Sequence, residues 1–400
     1  MSDHDGMTAI PGVSHTPTFV SVIVPVYNSA EDLDRCLAAV NKSDWPAFEC
    51  IVVDDASTDP QIIDIADRHG ARLVQLNQRS GPAMARNAGA EQARGEIIFF
   101  TDADVLLHSD AIGEAMRVLE TESGIAAVFG SYDDNPDHDS LISRYRNLYH
   151  HWNHQIANEE ASTFWTGCGA IRKDVFLAMD GFSSDYERPS IEDIELGYRL
   201  RAAGYRIRLL KTMLATHLKH WKIMDMVRTD IFQRGVPWIV LLWRHRSAPA
   251  DLNLNPRAKI ATVSAALLCL TLLLAILSGH SKAVVPTLAV LLAAVLCACL
   301  TEYSVEAKKA RLWKSTLALL IGIFIPLLSL AWFHNAWALL PLILIAVIAW
   351  AQKDFYLLLS KRGGIGFAFA VLPLQVLFFI GCALSVPLGF LDFLRQRRTA

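Results

Sequence analysis

The sequence lacks the features that identify several common classes of protein. Its formal net charge is −3, and it contains no basic module with interleaved aromatic residues, which disfavours nucleic acid as a partner. No G-x-G-x-x-G motif follows the first predicted strand, which disfavours a dinucleotide-binding dehydrogenase. Its seven cysteines show neither zinc-ligand spacing nor a disulfide framework, so we expect them to be buried thiols.

The first residues also lack the marks of a signal peptide. Residues 1–18 have no positively charged start and no apolar stretch, and we predict that they form a flexible leader. We therefore expect the polar part of the chain to stay in the cytoplasm.

Hydrophobic residues make up 52% of the chain and charged residues 19%, but the two are unevenly distributed. Residues 1–257 hold most of the charge, whereas residues 258–394 consist mostly of apolar runs long enough to cross a bilayer. We predict an integral protein of the cell or inner membrane, with a membrane domain at 259–400. The predicted spans are 259–279, 283–300, 316–333, 336–351 and 365–394.

Basic residues between the apolar runs indicate the orientation of the spans. Segments 303–315, 352–364 and 395–398 are basic, and the positive-inside rule places all three on the cytoplasmic side. Four spans agree with the first two segments, but a fifth full span would carry the basic tail to the opposite side. Two interpretations stay open: a fifth span, or a re-entrant segment broken by Pro373 and Pro387.

Residues 217–258 join the polar and apolar halves. Their basic residues alternate with Trp221, Trp238 and Trp243, a composition typical of chains that lie at anionic headgroups. We predict an amphipathic interfacial linker rather than a solvated charged one.

Strand-like and helical patterns alternate in the first half. Apolar runs predict strands at 19–26, 48–53, 72–76 and 97–100, with helical periodicity between them. Short connections between such elements predict an α/β fold with a parallel, doubly wound sheet. Tyr27, Asp55 and Asp102 follow three of these strands, so we expect them at one edge of the sheet. Asp102 and Asp104 together offer oxygen ligands for Mg²⁺ or Mn²⁺.

Several motifs give this half a family resemblance. VSVIVPVYN, VVDDASTD, GPAMARNAGA and FFTDAD resemble, in order and spacing, the nucleotide-binding half of family 2 glycosyltransferases of the GT-A fold. WTGCGAIRKDVF and EDIELGYRLRAAGYRI extend the resemblance to about residue 238. It implies an inverting enzyme that uses a nucleotide-diphosphate sugar. It also implies a catalytic domain at 19–216 with a GT-A-type, mostly parallel sheet, followed by an all-α transmembrane bundle.

The resemblance also implies roles for individual residues on the donor side. Arg86 would approach the ribose or diphosphate, although a solvated charge on a helix surface explains it equally well. His217 lies where some members place a third residue beside the metal. The nucleotide side would comprise Pro25, Tyr27, Asp54, Asp55, Arg86 and Asp102, and the divalent metal would be held by Asp102, Asp104 and His217.

On the other side of the expected cleft, the resemblance makes Asp193 the general base, with Glu192 as its acidic partner. The competing interpretation for both is an ordinary interaction with a helix N-terminus. The segment after Gln233 is similar to the Gln-x-x-Arg-Trp motif of processive members but differs in spacing, which disfavours processive synthesis. The implied acceptor pocket contains Trp165, Gly167, Gln233, Arg234 and Trp238.

One helical stretch, 140–160, is rich in both histidine and aromatic residues. His151 and His154 are spaced for a metal, but no carboxylate has matching spacing, so a wet amphipathic surface is the favoured interpretation.

These features together predict a membrane-anchored, cytoplasm-facing glycosyltransferase. It would move a sugar from a nucleotide-diphosphate sugar to a lipid or lipid-linked acceptor at the membrane. Two alternatives are a transporter or scaffold with a nucleotide-sugar-sensing domain, and a nucleotidyltransferase.

Overall fold

The computed structural model describes residues 17–186, 188–246, 252–279 and 336–399. The predicted spans 283–300 and 316–333, the basic segment 303–315 and most of the predicted leader lie outside the described residues.

A nine-stranded sheet forms the centre of the catalytic half, in the order β3-β2-β1-β4-β8-β6-β9-β5, with β7 paired to β9. Unbroken apolar sequences produce β1, β2 and β4, because each strand is covered on both faces and therefore needs no polar alternation. The strands are β1 (Val20–Val26), β2 (Phe48–Asp54), β3 (Arg72–Gln75), β4 (Ile97–Thr101), β5 (Val105–Leu107), β6 (Ile125–Tyr132), β7 (Glu160–Ala161), β8 (Cys168–Arg172) and β9 (Arg206–His217).

Most strands of the sheet point the same way. The strands β1, β2, β3 and β4 are mutually parallel, and β9 is parallel to β6. Strand β8 lies antiparallel between β4 and β6, while β5 and β7 run antiparallel to β9. Six strands (β1, β2, β3, β4, β6 and β9) therefore share one direction, which confirms the predicted mostly parallel sheet.

Helices cover both faces of the sheet, as a doubly wound fold requires. One apolar cluster packs α1, α2 and α4 against one face, and a second packs α3, α6 and α7 against the other. These helices are α1 (Ala30–Val40), α2 (Gln61–Arg68), α3 (Pro82–Gln92), α4 (Ala111–Thr121), α5 (Leu141–Ile156), α6 (Lys173–Ala178) and α7 (Glu192–Ala202).

The described C-terminal region is helical. It contains α8 (Ile223–Arg228), a π-helix (Thr229–Gly235), α9 (Val236–His245), α10 (Pro256–Leu277), α11 (Ala336–Ala351) and α12 (Lys353–Thr399). Among the described helices, α10 and most of α12 are long and apolar enough to cross a membrane.

The path of α12 bears on the two open interpretations of 365–394. The helix departs from helical geometry only at Gly364, with φ 82° and ψ 169°, and it continues through Pro373 and Pro387. The re-entrant interpretation required a break at these prolines, and the helix is continuous there. Packing of α12 against α9, α5 and the π-helix outweighs the local cost of proline, which is about 3 kcal/mol in a helix interior.

Helix α12 also packs directly on the catalytic half, through α5 and the segment predicted as a linker. Tyr145, Tyr149 and Trp152 of α5 are buried, and all three rings contact Phe355 of α12. The favoured interpretation of this stretch as a wet surface is therefore wrong, because α12 covers the face that was expected to meet water.

The predicted interfacial linker is divided by this packing. Trp221 is 3% exposed and Trp238 is partly buried, whereas Trp243 is 48% exposed and contacts Phe390. Gly235 ends the π-helix, and a Cβ at this position would collide with Ser385 of α12. The π-helix and α12 therefore approach closely there. The segment thus belongs partly to the protein interior and partly to its surface.

Gly95 offers a test of how β4 is held in place. A Cβ at this position would lie 2.6–2.8 Å from the backbone of Phe19, Val20 and Ser21, none of which can move independently of β1. We expect Gly95→Ala to destabilise the protein by about 1–3 kcal/mol, read as a lower thermal unfolding midpoint of the purified chain. The control is Gly124→Ala, where the nearest atom is 3.9 Å away. Equal midpoints for the two variants would contradict this account.

Candidate active site

A cleft of ≈ 420 Å³ opens at the carboxyl edge of the sheet, where the ends of β1, β2, β4 and β9 meet α5, α7 and the π-helix. Asp54, Gly167 and Gln233 are the predicted site residues that do not line this cleft in the described structure. The predicted residues that line it are Pro25, Tyr27, Asp55, Arg86, Asp102, Asp104, Trp165, Glu192, Asp193, His217, Arg234 and Trp238.

One end of the cleft is built around Asp55. Its two carboxylate oxygens accept hydrogen bonds from the backbone N–H groups of Ser80 and Gly81, at 2.6 and 2.9 Å. Gly81 has φ 86°, a left-handed conformation that glycine adopts without strain. Asp54 instead accepts from the Ser57 N–H at 2.9 Å, and so it shapes the turn after β2.

The aromatic surface at this end pairs Tyr27 with a residue that sequence reasoning missed. The guanidinium of Arg79 lies 4.0 Å from the centroid of the Tyr27 ring, which is half exposed to the cleft. Such a stack offers a flat face with a positive charge behind it. The only signal in the sequence was a basic residue directly before the glycine turn.

Arg86 lies at the centre of the cleft and is 4% exposed. Its Nη2 donates to Asp102 Oδ1 at 2.6 Å, and its Nη1 donates to Glu192 Oε1 at 2.9 Å. Burial alone would lower the pKa of Arg86, but Asp102 and Glu192 outweigh burial and raise it. Arg86 is therefore a fixed cation between two carboxylates, and the interpretation as a solvated surface charge is wrong.

The edge beyond β4 carries Asp102 and Asp104, each about one-third exposed to the cleft. His217 Nε2 lies 3.5 Å from Asp104 Oδ2, while His217 Nδ1 lies 2.8 Å from Asn147 Oδ1. Because that oxygen accepts, Nδ1 carries the proton, and Nε2 faces Asp104. Burial would raise the pKa of Asp104, but His217 outweighs it and lowers the pKa, so this carboxyl is ionised.

These residues fit a hard divalent cation in one respect and not in another. Asp102 keeps Oδ2 free of Arg86, and Asp104 faces the same space, so two carboxylates are available. Within the described residues, no three acidic, histidine or cysteine side chains converge on a single metal position. A cation here would therefore need ligands from a bound substrate, which is the usual arrangement for Mg²⁺ with a diphosphate.

Asp193 occupies the first turn of α7 and lines the same cleft as Asp55. Its Oδ1 accepts from the Ile194 N–H at 2.8 Å, and its Oδ2 accepts from the Thr166 N–H at 3.3 Å. Burial, followed by the negative charge of Glu192, raises the pKa of Asp193 to about 6. A carboxylate with a pKa near neutrality is suited to accept and release a proton.

The loop before β8 places aromatic residues beside Asp193. Trp165 lines the cleft and meets the ring of Tyr132 edge-on, with centroids 4.8 Å apart. A Cβ at Gly167 would collide with the Trp165 indole, so Gly167 makes room for that ring rather than lining the pocket. Gln233 accepts a hydrogen bond from Ser190 through its backbone oxygen, which ties the π-helix to the start of α7.

Several residues of the cleft were not predicted, and most of them come from helix α5. A signal was present on α5: Arg146 and Asn153 interrupt the helical stripe of Ile142, Tyr145 and Tyr149, where a core helix would carry apolar residues. The unpredicted polar lining includes Arg79, Arg146, Asn147, His150, Asn153, His154, Thr166, Ser190 and Lys219.

The known proteins that this chain resembles in sequence are glycosyltransferases. Residues 21–179 match the profile described as glycosyl transferase family 2. The chain is 36% identical over 107 residues to poly(ribitol-phosphate) beta-N-acetylglucosaminyltransferase TarS of Staphylococcus aureus, which covers 25% of this chain and 18% of that protein. It is 33% identical over 128 residues to glycosyltransferase AglE of Haloferax volcanii, covering 30% and 41%. The chain thus spans less than half the length of these relatives.

Among solved structures, the chain is similar to the mannosyltransferase PcManGT from Pyrobaculum calidifontis, solved in complex with GDP-Man and Mn²⁺. The sequences are 20% identical, the match covers 85% of this chain and 88% of the other, and the TM-score is 0.48. That likeness is too distant to bear on substrate or metal. Residues 21–179 thus match the glycosyl transferase family 2 profile, and the relatives named above are glycosyltransferases.

Proposed function

We propose that the protein is an inverting glycosyltransferase that moves a sugar from a nucleotide-diphosphate sugar to a lipid or lipid-linked acceptor. The observation that carries this proposal is the set of charged groups that lines one cleft. Tyr27 and Asp55 follow β1 and β2, Asp102 and Asp104 follow β4, and Arg86 joins Asp102 to Glu192, the neighbour of Asp193.

The donor would lie with its base against Tyr27. The Tyr27 ring and the Arg79 guanidinium behind it provide a stacking surface, and Asp55 stands beside it. Each Asp55 oxygen uses one lone pair on a backbone N–H, so a second remains to accept a hydrogen bond from a base. The diphosphate would then reach the Asp102–Asp104 edge.

Transfer would be a single displacement at the anomeric carbon. The acceptor oxygen forms its bond to that carbon while the bond to the diphosphate oxygen breaks, and Asp193 takes the acceptor's proton. The Thr166 and Ile194 N–H groups hold the Asp193 carboxylate in place during this step. Glu192 is engaged by Arg86 and the Ser190 N–H, so it positions Arg86 rather than receiving the proton.

A divalent cation, Mg²⁺ or Mn²⁺, would neutralise the charge that develops on the leaving nucleoside diphosphate. Asp102 and Asp104 would hold it, with His217 oriented by Asn147 at the same edge. Arg86 supplies a permanent positive charge beside this edge whether or not the cation is bound.

A membrane-embedded acceptor is supported by the packing of α12. Arg234 and Trp238 line the cleft, and the segments that carry them pack against α12. The acceptor end of the cleft thus adjoins apolar helices, with the catalytic domain expected on the cytoplasmic face.

The first prediction from the proposed function concerns Asp193. We expect Asp193→Asn to lower transfer by about 10²–10⁴-fold, because an amide cannot accept the proton, while nucleotide binding is largely retained. The assay incubates membranes with a panel of radiolabelled nucleotide sugars and extracts the lipid. The control is Asp64→Asn, an exposed carboxylate in the first turn of α2. Normal turnover by Asp193→Asn would exclude this residue as the base, and no labelled lipid from any donor would contradict the proposed acceptor.

The second prediction follows from the pKa of about 6 for Asp193. The base must be ionised, so kcat/KM should fall as the pH drops below about 6. Glu192 raises this pKa, so Glu192→Gln should shift the acidic limb to lower pH. Glu195→Gln, one turn along α7 and paired with Arg199, should leave the limb in place. A limb that moves upward in Glu192→Gln, or not at all, would contradict the assignment.

A further inference from the structure

The acceptor end of the cleft is rich in positive charge. Arg146, Lys219 and Arg234 all line the cleft. Asp230 forms a buried ion pair with Arg146. Neither Lys219 nor Arg234 forms an ion pair with any carboxylate in the described part of the chain, although the charge of Asp104 acts on Lys219 and that of Asp230 on Arg234. Lys219 is exposed and Arg234 is half-buried, so both are open to a further anion.

Hydrogen-bond donors without partners lie on residues of the same cleft. Arg146 Nε, Asn147 Nδ2 and Trp221 Nε1 are buried and have no partner among the described residues, and the acceptors Asp230 Oδ2 and Asn153 Oδ1 likewise have none. A buried donor without a partner is costly, and three such donors around one cleft are suited to a ligand with acceptor oxygens.

The indole of Trp221 contacts two of the three cationic side chains. Its ring lies 4.3 Å from Lys219 Nζ and 5.5 Å from Arg146 Cζ, so one indole contacts both positive groups. Arg146 and Arg234 line the same cleft. Burial, followed by the charge of Arg146, lowers the pKa of Arg234, as expected for two cations that repel each other. An anion between them would remove that repulsion.

The position of this cluster separates it from the donor diphosphate. Arg146 belongs to α5 and Arg234 to the π-helix, and both elements pack against α12. The expected diphosphate position is held by other groups, Asp102, Asp104 and Arg86, at the end of β4. Lys219 lies between the two regions, two residues after His217.

We propose that Arg146 and Arg234, with Lys219 beside them, bind a phosphate group of the acceptor lipid. This inference rests on the proposed function and names the chemical class of its acceptor. The acceptor would be an amphiphile whose phosphate lies between the two guanidinium groups, with its chain along α12 and its reacting hydroxyl at Asp193. Arginine recognises phosphate through paired N–H donors in a fixed geometry, which suits a site with two of them.

The test is a binding measurement on the purified full-length chain in detergent. Dodecyl phosphate is titrated into the protein, and uncharged dodecyl maltoside is titrated in parallel for comparison. The fluorescence of the cleft tryptophans reports binding. Inorganic phosphate, and UDP or GDP with Mn²⁺, are titrated separately. The variants are Arg234→Gln and Arg234→Lys, and the matched control is Arg117→Gln, an arginine on α4 that is 70% exposed.

We expect Arg234→Gln to weaken dodecyl phosphate binding by at least about tenfold, the effect of losing a charge-assisted hydrogen bond. Arg234→Lys keeps the charge and should bind more tightly than Arg234→Gln. Arg117→Gln should bind as the unmodified chain does. Nucleotide affinity should change by less than about threefold in all three variants.

Three results would overturn the inference. A loss of nucleotide affinity with unchanged dodecyl phosphate binding would assign the cluster to the donor. Inorganic phosphate binding as tightly as dodecyl phosphate would exclude a lipid source. Equal losses in Arg234→Lys and Arg234→Gln would point to packing rather than charge. Failure of the proposed function is distinguishable, because it would appear as absent sugar transfer while these titrations remain measurable.

Discussion

The rest of the site depends on the pairing of the buried Arg86 guanidinium with two carboxylates. The guanidinium is held by Asp102 at the end of β4 and by Glu192 in the first turn of α7, two elements far apart in the chain. A buried cation is tolerated only when it is paired, and each of these carboxylates likewise needs the cation. The three groups therefore fix the distance between the end of β4 and the first turn of α7.

That constraint reaches Asp193 through its neighbour. Glu192 raises the pKa of Asp193 and Arg86 lowers it, after burial has made the largest contribution. The proton affinity of the proposed base is thus set by the same ion pair that holds α7 against the sheet. Geometry and acidity are linked, because a shift of Arg86 would change both the position and the charge environment of Asp193.

The sequence predicts well what depends on local pattern. The apolar runs of β1, β2 and β4 and the polar residues after them are local features, and parallel strands bring those residues to one edge. The insertion of β8 between β4 and β6 is not local, since it pairs Thr101 with Cys168, which lies beyond α4, β6, α5 and β7 in the chain. For the same reason the sequence left the path of α12 through Pro373 open and missed the burial of α5: each is decided by packing between distant segments.

The residues of the candidate site likewise divide into those that a local motif predicts and those that packing between distant segments decides. Asp55, Asp102 and Asp193 each follow a recognisable motif, whereas the ion pairs of Arg86 and the cluster around Arg146 depend on which helices meet. A charged residue on an otherwise apolar helical stripe, as at Arg146, is the signal that sequence reasoning can use. It marks a position where the interior must accommodate charge, although not the partner that it meets.

The central claim is a single displacement with Asp193 as the base and no nucleophile on the protein. The most direct measurement is the anomeric configuration of the transferred sugar, read from the ¹H NMR coupling constant of its anomeric proton and compared with that of the donor. The account predicts inversion. A product with the donor's configuration would require a different mechanism and would contradict it.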